Sequence, residues 1–379
     1  MKIYAPGIEN IDLLTQLLDG KERIGLLTNP SGVNSHLTPT IDILHRRFPL
    51  CCLFAPEHGI RGELQAGVRV PTYVDEKTGL TVYSAYRESY EEALSGLDCL
   101  IYDIQDVGAR HYTYPYLMAN MMKLCAKYGI SFIVLDRYNP LGLSRIEGNI
   151  YNDAYSCGVG GYSLPTRYAL TVGELAQYIN KEFGIGCELN VVKCEGLTRR
   201  MDHRTCRPHW ILPSPNCPTY EAALSYIGTV LFEGTNLSEG RGTTKPFEYI
   251  GAPWLDSDAV IEEMRALDLP GVSFGKVFFT PTFSKYQGEC CCGIQLHITD
   301  PDLYEPYRTG LLLLDRIRRM HTAFEFRVSS DGTSYFIDKL AGTDALRRAD
   351  FDPIAYLEAQ KPLLEQFKGK AKNYYLYEN

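Results

Sequence analysis

Three short stretches set a carboxylate beside an arginine or a histidine just where an apolar run stops. The run 50–54 leads into Ala55-Pro56-Glu57-His58-Gly59, the run 98–104 into Gln105-Asp106-Val107-Gly108-Ala109-Arg110-His111-Tyr112, and the run 131–135 into Asp136-Arg137-Tyr138-Asn139-Pro140. Pro56 fixes the chain before Glu57 and Gly59 permits a sharp exit after it. A carboxyl held there, partly out of water, would have a raised pKa and serve as a general acid; the plainer alternative is an ion pair with Arg61. His58 suits a base, a metal ligand or a positioning residue, and it has no H-x-x-x-H partner for zinc. Asp103 falls inside an apolar run, so it should be buried and needs a partner. Asp106, three residues on, should face a cleft, unless both belong to a structural network with Arg110 or Arg137.

A second region carries comparable chemistry. The loop Glu233-Gly234-Thr235-Asn236-Leu237-Ser238-Glu239-Gly240-Arg241-Gly242-Thr243-Thr244 is dense in hydrogen-bonding groups, and its glycines let backbone approach a ligand. The phosphate-loop spacing G-x-x-x-x-G-K-[ST] is missing there, and G-x-G-x-x-G is missing throughout. Nucleoside-triphosphate and nicotinamide chemistry are thereby disfavoured, and no cofactor is implied. Upstream, Pro213, Pro215 and Pro218 would hold Asn216 rigidly.

These residues need a frame. Short apolar strands alternate with amphipathic helices through the first part: a helix over 11–18, a strand over 23–28, a helix over 38–48 capped by Thr38, strands over 50–54 and 98–104, a helix over 114–127 ended by Gly129, and a strand over 131–135. Continuous apolar strands in strand–helix alternation predict a parallel sheet covered on both faces, with ligands beyond the carboxyl ends of its strands. A Gly-rich connection over 157–162 follows. Then come a helix over 171–183 with a Thr171/Glu174 capping box, a strand over 188–193, a helix over 219–231 and a mixed remainder. The fold class is therefore α/β: a Rossmann-like parallel-sheet domain over 1–150, then an α+β auxiliary domain over 151–379.

Composition narrows the partners. The 379 residues suit two domains, and a net charge of −8 with no basic tract argues against nucleic acid. The 27 tyrosines suit a carbohydrate cleft as well as ordinary packing. The 12 cysteines, some adjacent, have no C-x-x-C spacing and fit a reducing compartment. No signal peptide and no bilayer-spanning run is visible, so the expectation is a cytoplasmic protein. Oligomeric state is not encoded in any feature of the sequence.

Together the segments APEHGIRGELQAG (55–67), YDIQDVGARHYTY (102–114), DRYNPLG (136–142), LTVGELA (170–176), PSPNCPT (213–219) and EGTNLSEGRGTTKPFEYIGAPW (233–254) resemble the exo-β-N-acetylmuramidase NamZ family, a bacterial family long catalogued as a domain of unknown function. The resemblance implies a Rossmann-like domain plus an auxiliary domain, a site between them, and release of terminal β-linked N-acetylmuramic acid from the non-reducing end of peptidoglycan fragments. It implies that Glu57 is the acid. Asp106, Glu233 and Glu239 are candidates for the second carboxyl, or the substrate acetamide assists. Arg241, Arg110 or Arg61 would meet the lactyl carboxylate. Tyr112, Tyr114 and Asn216 would meet the ring and acetamide, and His58, Asp103 and Asn236 complete the candidate binding set. Two departures stand out: Tyr138 replaces the usual proline of Asp-Arg-Pro-Asn-Pro, and the export signal of many members is not seen. The competing readings are a muropeptide-binding protein without catalysis and a metal-dependent hydrolase using His58, His111, Asp103 and Asp106.

Overall fold

The computed structural model describes residues 4–62, 71–85, 90–206, 208–329 and 332–379. Part of the first motif, 63–67, lies outside the described residues. Among the described residues the larger sheet has seven strands: β1 (Ile24–Thr28), β2 (Leu50–Ala55), β3 (Tyr73–Val74), β4 (Thr81–Ser84), β5 (Cys99–Asp103), β6 (Ser131–Leu135) and, after a separate antiparallel pair β7 (Glu147–Ile150) and β8 (Pro165–Arg167), β9 (Leu189–Val192). Their spatial order is β3-β4-β2-β1-β5-β6-β9. Only β3 runs antiparallel to its neighbour. The chain winds outward from β1 and then returns to start again at β5, so β1 and β5 flank the topological switch point.

Strands β1, β5 and β6 are buried along their whole length because both faces are covered. Alternate residues serve opposite layers. Leu26, Ile101 and Ile133 meet Leu14, Ile41 and Leu44 from the helices Ile11–Leu17 and Thr40–Arg47. Leu27, Leu100 and Phe132 join Leu117, Met121, Leu175 and Ile179 from the helices Tyr114–Tyr128 and Val172–Glu182. Gly129 ends the first of these at φ +67°, and Thr171 with Glu174 forms the capping box of the second. The other expected cap is different. Thr38 donates its backbone N–H to Asn34 Oδ1 (2.9 Å) within a turn, and the helix begins at Thr40 after Pro39.

The second unit holds β10 (Tyr249–Ala252), β11 (Val272–Phe279) and β12 (Cys291–Ile298) in the antiparallel order β10-β12-β11. The helices Ser257–Ala266 and Pro306–Met320 contribute Val260, Met264 and Leu311 to the core that contains Ile250, Phe274 and Ile294. The helix Tyr220–Thr229 crosses Pro306–Met320 at a pair of glycines: a Cβ on Gly310 would stand 2.5 Å from the Gly228 carbonyl oxygen. Only glycine permits that approach.

The expected boundary at residue 150 differs from the structure, because β9 pairs with β6 and extends the large sheet to residue 192. The stretch 157–162 connects β7 to β8 rather than linking two domains. The chain end also returns to the first unit: Tyr377 Oη donates to Asp136 Oδ2 (2.6 Å) and the Leu376 N–H to Glu174 Oε1 (2.8 Å).

Candidate active site

Glu57 sits on a tight turn at the carboxyl end of β2. The Gly59 N–H donates to the Pro56 carbonyl (3.1 Å), and His58 (φ +75°) and Gly59 (φ +81°) both take the left-handed conformation. For a side chain bearing a Cβ that conformation costs on the order of 1 kcal/mol and persists only where surroundings enforce it. The turn leaves Glu57 half-buried, with Thr113 Oγ1 donating to Glu57 Oε2 (3.1 Å). Thr113 immediately precedes the Tyr114–Tyr128 helix, so the first two sequence motifs do meet. The expected Glu57–Arg61 pair is not what Arg61 makes: its guanidinium bonds Asp75 (2.6 Å).

The Glu233–Arg241 loop folds around two cations. Arg241 Nη2 meets Glu233 Oε1 (2.8 Å) and Arg241 Nε meets Glu239 Oε1 (3.2 Å), while its guanidinium lies over the Phe247 ring at 5.1 Å. Lys285 Nζ closes the loop from beneath, donating to the carbonyls of Phe232 (2.8 Å) and Leu237 (2.6 Å) and to Glu239 Oε2 (2.9 Å). Burial pulls the Lys285 ammonium down while Glu239 pulls it up. The exposures separate the two acids: the Glu239 side chain is 2% exposed and clamped by two cations, whereas Glu233 and Arg241 are each 19% exposed. Burial raises the Glu233 carboxyl; Arg241 holds it back and Glu239 pushes it further up.

The two clusters converge on a residue the sequence motifs do not contain. Tyr226 has a hydroxyl pushed up by burial, then by the Glu233 carboxylate, with Arg241 opposing and Glu57 adding to the rise. Its ring packs against Phe247 (4.7 Å), Tyr112 (5.5 Å) and His111 (6.1 Å). The Tyr226 ring therefore stands between Phe247, which carries the Arg241 guanidinium, and Tyr112, whose neighbour Thr113 bonds Glu57. Neither Tyr226 nor Lys285 belongs to a motif-like cluster. Tyr226 is marked only by its place in the helix before the loop, and Lys285 lies 44 residues past Arg241 in the chain.

The other expected site residues divide. Tyr112 and Tyr114 pack edge to face (5.7 Å), and Tyr114 Oη donates to the Pro213 carbonyl (2.6 Å), which ties the aromatic wall to the proline-rich stretch. Asn216 is buried in that stretch. Asn236 is a loop staple: Nδ2 donates to the Ala323 carbonyl (2.8 Å) and Oδ1 accepts from the Glu325 N–H (3.0 Å). Asp103 has no access to solvent, and both its oxygens are taken by Arg137 (2.5 and 2.8 Å), with Thr40 also bonded. Arg110 is equally enclosed, donating to the carbonyls of Asn149 (2.7 Å), Leu164 (3.1 Å) and Leu340 (3.2 Å) and to Asn149 Oδ1 (3.1 Å). Asp103 and Arg110 are thus corrected from substrate contacts to internal ties, since both are fully enclosed and neither side chain reaches the cleft surface.

Asp106 also points inward. It accepts from the Gly108 N–H (2.9 Å) and from Tyr168 Oη, and its Oδ1 is buried with no partner among the described residues. Burial pushes its carboxyl up to about 7, against the lowering effect of the Gly108 and Val107 amides. Among the described residues no three His, Cys, Asp or Glu side chains are grouped to hold a metal. Two of the four ligands a metal site would need are committed: Asp103 to Arg137, and His111 Nε2 to the Leu340 carbonyl (2.9 Å).

An α/β protein that brings half-buried carboxyls, an arginine and tyrosine rings together where its two units meet has the outfit of a sugar-cleaving enzyme. Comparison with known proteins specifies which. Residues 24–221 match the model of the exo-beta-N-acetylmuramidase NamZ N-terminal domain, and residues 224–377 match that of the C-terminal domain. The chain belongs to the exo-beta-N-acetylmuramidase NamZ family. It is 46% identical over 368 residues to the peptidoglycan beta-N-acetylmuramidase NamZ of Bacillus subtilis (strain 168), covering 95% of this chain and 88% of that protein. Two crystal structures of DUF1343 family proteins from Bacteroides fragilis NCTC 9343 share the fold. One matches at TM-score 0.88 and 32% identity over 100% of both chains. The other matches at TM-score 0.79 and 30% identity over 99% of both.

Proposed function

We propose that this chain is an exo-acting β-N-acetylmuramidase that releases terminal β-1,4-linked N-acetylmuramic acid from the non-reducing ends of peptidoglycan fragments. The observation that carries the reading is the family match over both units, alongside the Tyr226 ring that packs on Phe247 beneath Arg241 on one side and on Tyr112, next to the Thr113 that bonds Glu57, on the other. Glu57 protonates the departing glycosidic oxygen. Of the three candidates for the second group, Asp106 is bound to Tyr168 and Glu239 to two cations, which leaves Glu233 to face the positive charge that develops on the sugar ring. Arg241 spends Nη2 and Nε on the two glutamates; its Nη1, which makes no bond among the described residues, is the donor offered to the lactyl carboxylate.

The substrate is soluble cell-wall fragments, and no described helix is long and apolar enough to cross a membrane. Twelve free thiols favour a reducing compartment, hence fragments recovered into the cytoplasm. On this reading the two units divide at the start of the helix Tyr220–Thr229, close to residues 221–224 where the two family models adjoin. The test is digestion of a defined N-acetylmuramyl-N-acetylglucosamine disaccharide with analysis of new reducing ends. Equimolar free N-acetylmuramic acid and N-acetylglucosamine is the expected result, and binding without cleavage would replace the enzyme with a muropeptide-binding protein.

A further inference from the structure

A well-formed crevice lies at the switch point between β1 and β5, and none of the candidate catalytic residues lines it. We infer that this crevice is a second saccharide subsite, taking the neutral 2-acetamido sugar on the leaving-group side of the scissile bond. The inference rests on the muramidase reading. The volume, about 310 Å³, is at the small end for ligand pockets and fits one pyranose unit rather than an extended chain.

Its lining suits a neutral sugar. Tyr4, Tyr138 and Trp210 supply aromatic surface for C–H faces, and Ser31, Asn34 and Gln105 supply polar groups. Among the described residues no aspartate or glutamate lines it, and the arginine that does, Arg137, is already neutralised by Asp103. Gln105 is pre-set as an acceptor: both of its amide hydrogens are spent, on the carbonyls of Asp106 (2.7 Å) and Tyr138 (2.8 Å), so Oε1 is what remains for an acetamide N–H or a hydroxyl.

The crevice shares walls with the acid. Pro213 lines it and accepts from Tyr114, the neighbour of the Thr113 that donates to Glu57. On the other side Pro30, next to the lining residue Ser31, abuts Gly62, five residues past Glu57; a Cβ on Gly62 would stand 2.8 Å from Pro30 Cγ. These shared elements make the crevice the space into which the leaving sugar of a disaccharide held at Glu57 would extend under this proposal.

Two variants test this. Trp210→Ala removes aromatic surface, and Ser35→Trp fills the crevice from a loop position whose backbone N–H, not its hydroxyl, is tied to Glu9 (2.7 Å). For each, kcat/KM is measured on the disaccharide and on an aryl β-N-acetylmuraminide, which has no second sugar. The ratio of the two should fall 10-fold or more in both variants, and N-acetylglucosamine alone should give a saturation-transfer NMR signal with the wild type that Ser35→Trp abolishes. An equal loss on both substrates, or no loss on either, overturns the subsite. A wild-type enzyme inert on both overturns the muramidase reading, and the subsite with it.

Discussion

The segment Asp103–Tyr112 and the segment Glu233–Arg241 each carry two carboxyl groups and one arginine, and both are among the most motif-like stretches of the chain. In the first, Arg110 is enclosed by four oxygen acceptors, two from β7, one from the residue before β8 and one from the helix Phe336–Ala341, and Asp103 is consumed by Arg137. In the second, Arg241 is held by the loop's own glutamates and keeps 19% exposure with Glu233 beside it. The first segment uses charge to tie the two units together through Leu340; the second uses charge to hold charge at the surface where the units meet. The number of polar residues at a strand end therefore does not tell a site from a joint. The supply of backbone acceptors around them does.

This contrast can be broken most sharply at Arg110. Arg110→Met should cost roughly 3–5 kcal/mol of stability in urea unfolding, because it strips several buried carbonyls of their donor at once. The molecules that remain folded should keep their KM. A stable variant with a raised KM for muramyl substrates would instead move Arg110 into the site.

Asp106 gives the next effect, and it depends on pH. Its folded-state pKa of about 7 lies above the unfolded value, so the stability it contributes is complete below about pH 4 and is lost as pH rises through 7. Asp106→Asn mimics the protonated form and lacks that dependence. Relative to wild type, the variant should gain roughly 2–4 kcal/mol between pH 4 and pH 8, at about 1.4 kcal/mol per pKa unit. A flat difference across that range would mean that Asp106 is ionised in the fold and faces water.

Arg241→Lys should be the mildest. It keeps the charge between Glu233 and Glu239 but loses the planar fork, so kcat/KM should drop about 10-fold while the urea midpoint moves little. A change confined to stability would make the second loop a joint like the first.

Much of the frame was legible in the chain. Fully buried strands such as Cys99–Asp103 announce themselves as apolar runs, and Gly129 and the Thr171/Glu174 pair mark helix ends by local chemistry alone. The short range of those signals is also their limit. Residue 150 looks like a boundary because strand and helix alternation pauses there, yet β9 joins β6 by backbone pairing that no local pattern records. The same holds at the site. Glu57 and the Glu233–Arg241 loop stood out by residue type, whereas the partners that fix them, Thr113 and Lys285, come from a helix start and a distant loop. Arg61 was assigned to Glu57 by proximity in sequence, and the fold gave it Asp75.

The role of Glu57 is the claim on which the contrast depends, and the most direct measurement is turnover of Glu57→Gln on aryl β-N-acetylmuraminides of graded leaving-group acidity. With a poor leaving group, kcat should fall about 10²–10⁴-fold. The loss should shrink as the leaving group needs less protonation, and the unfolding midpoint should stay near that of the wild type. Near-normal turnover on the poorest leaving group would contradict the assignment of the acid and, with it, the account of this site.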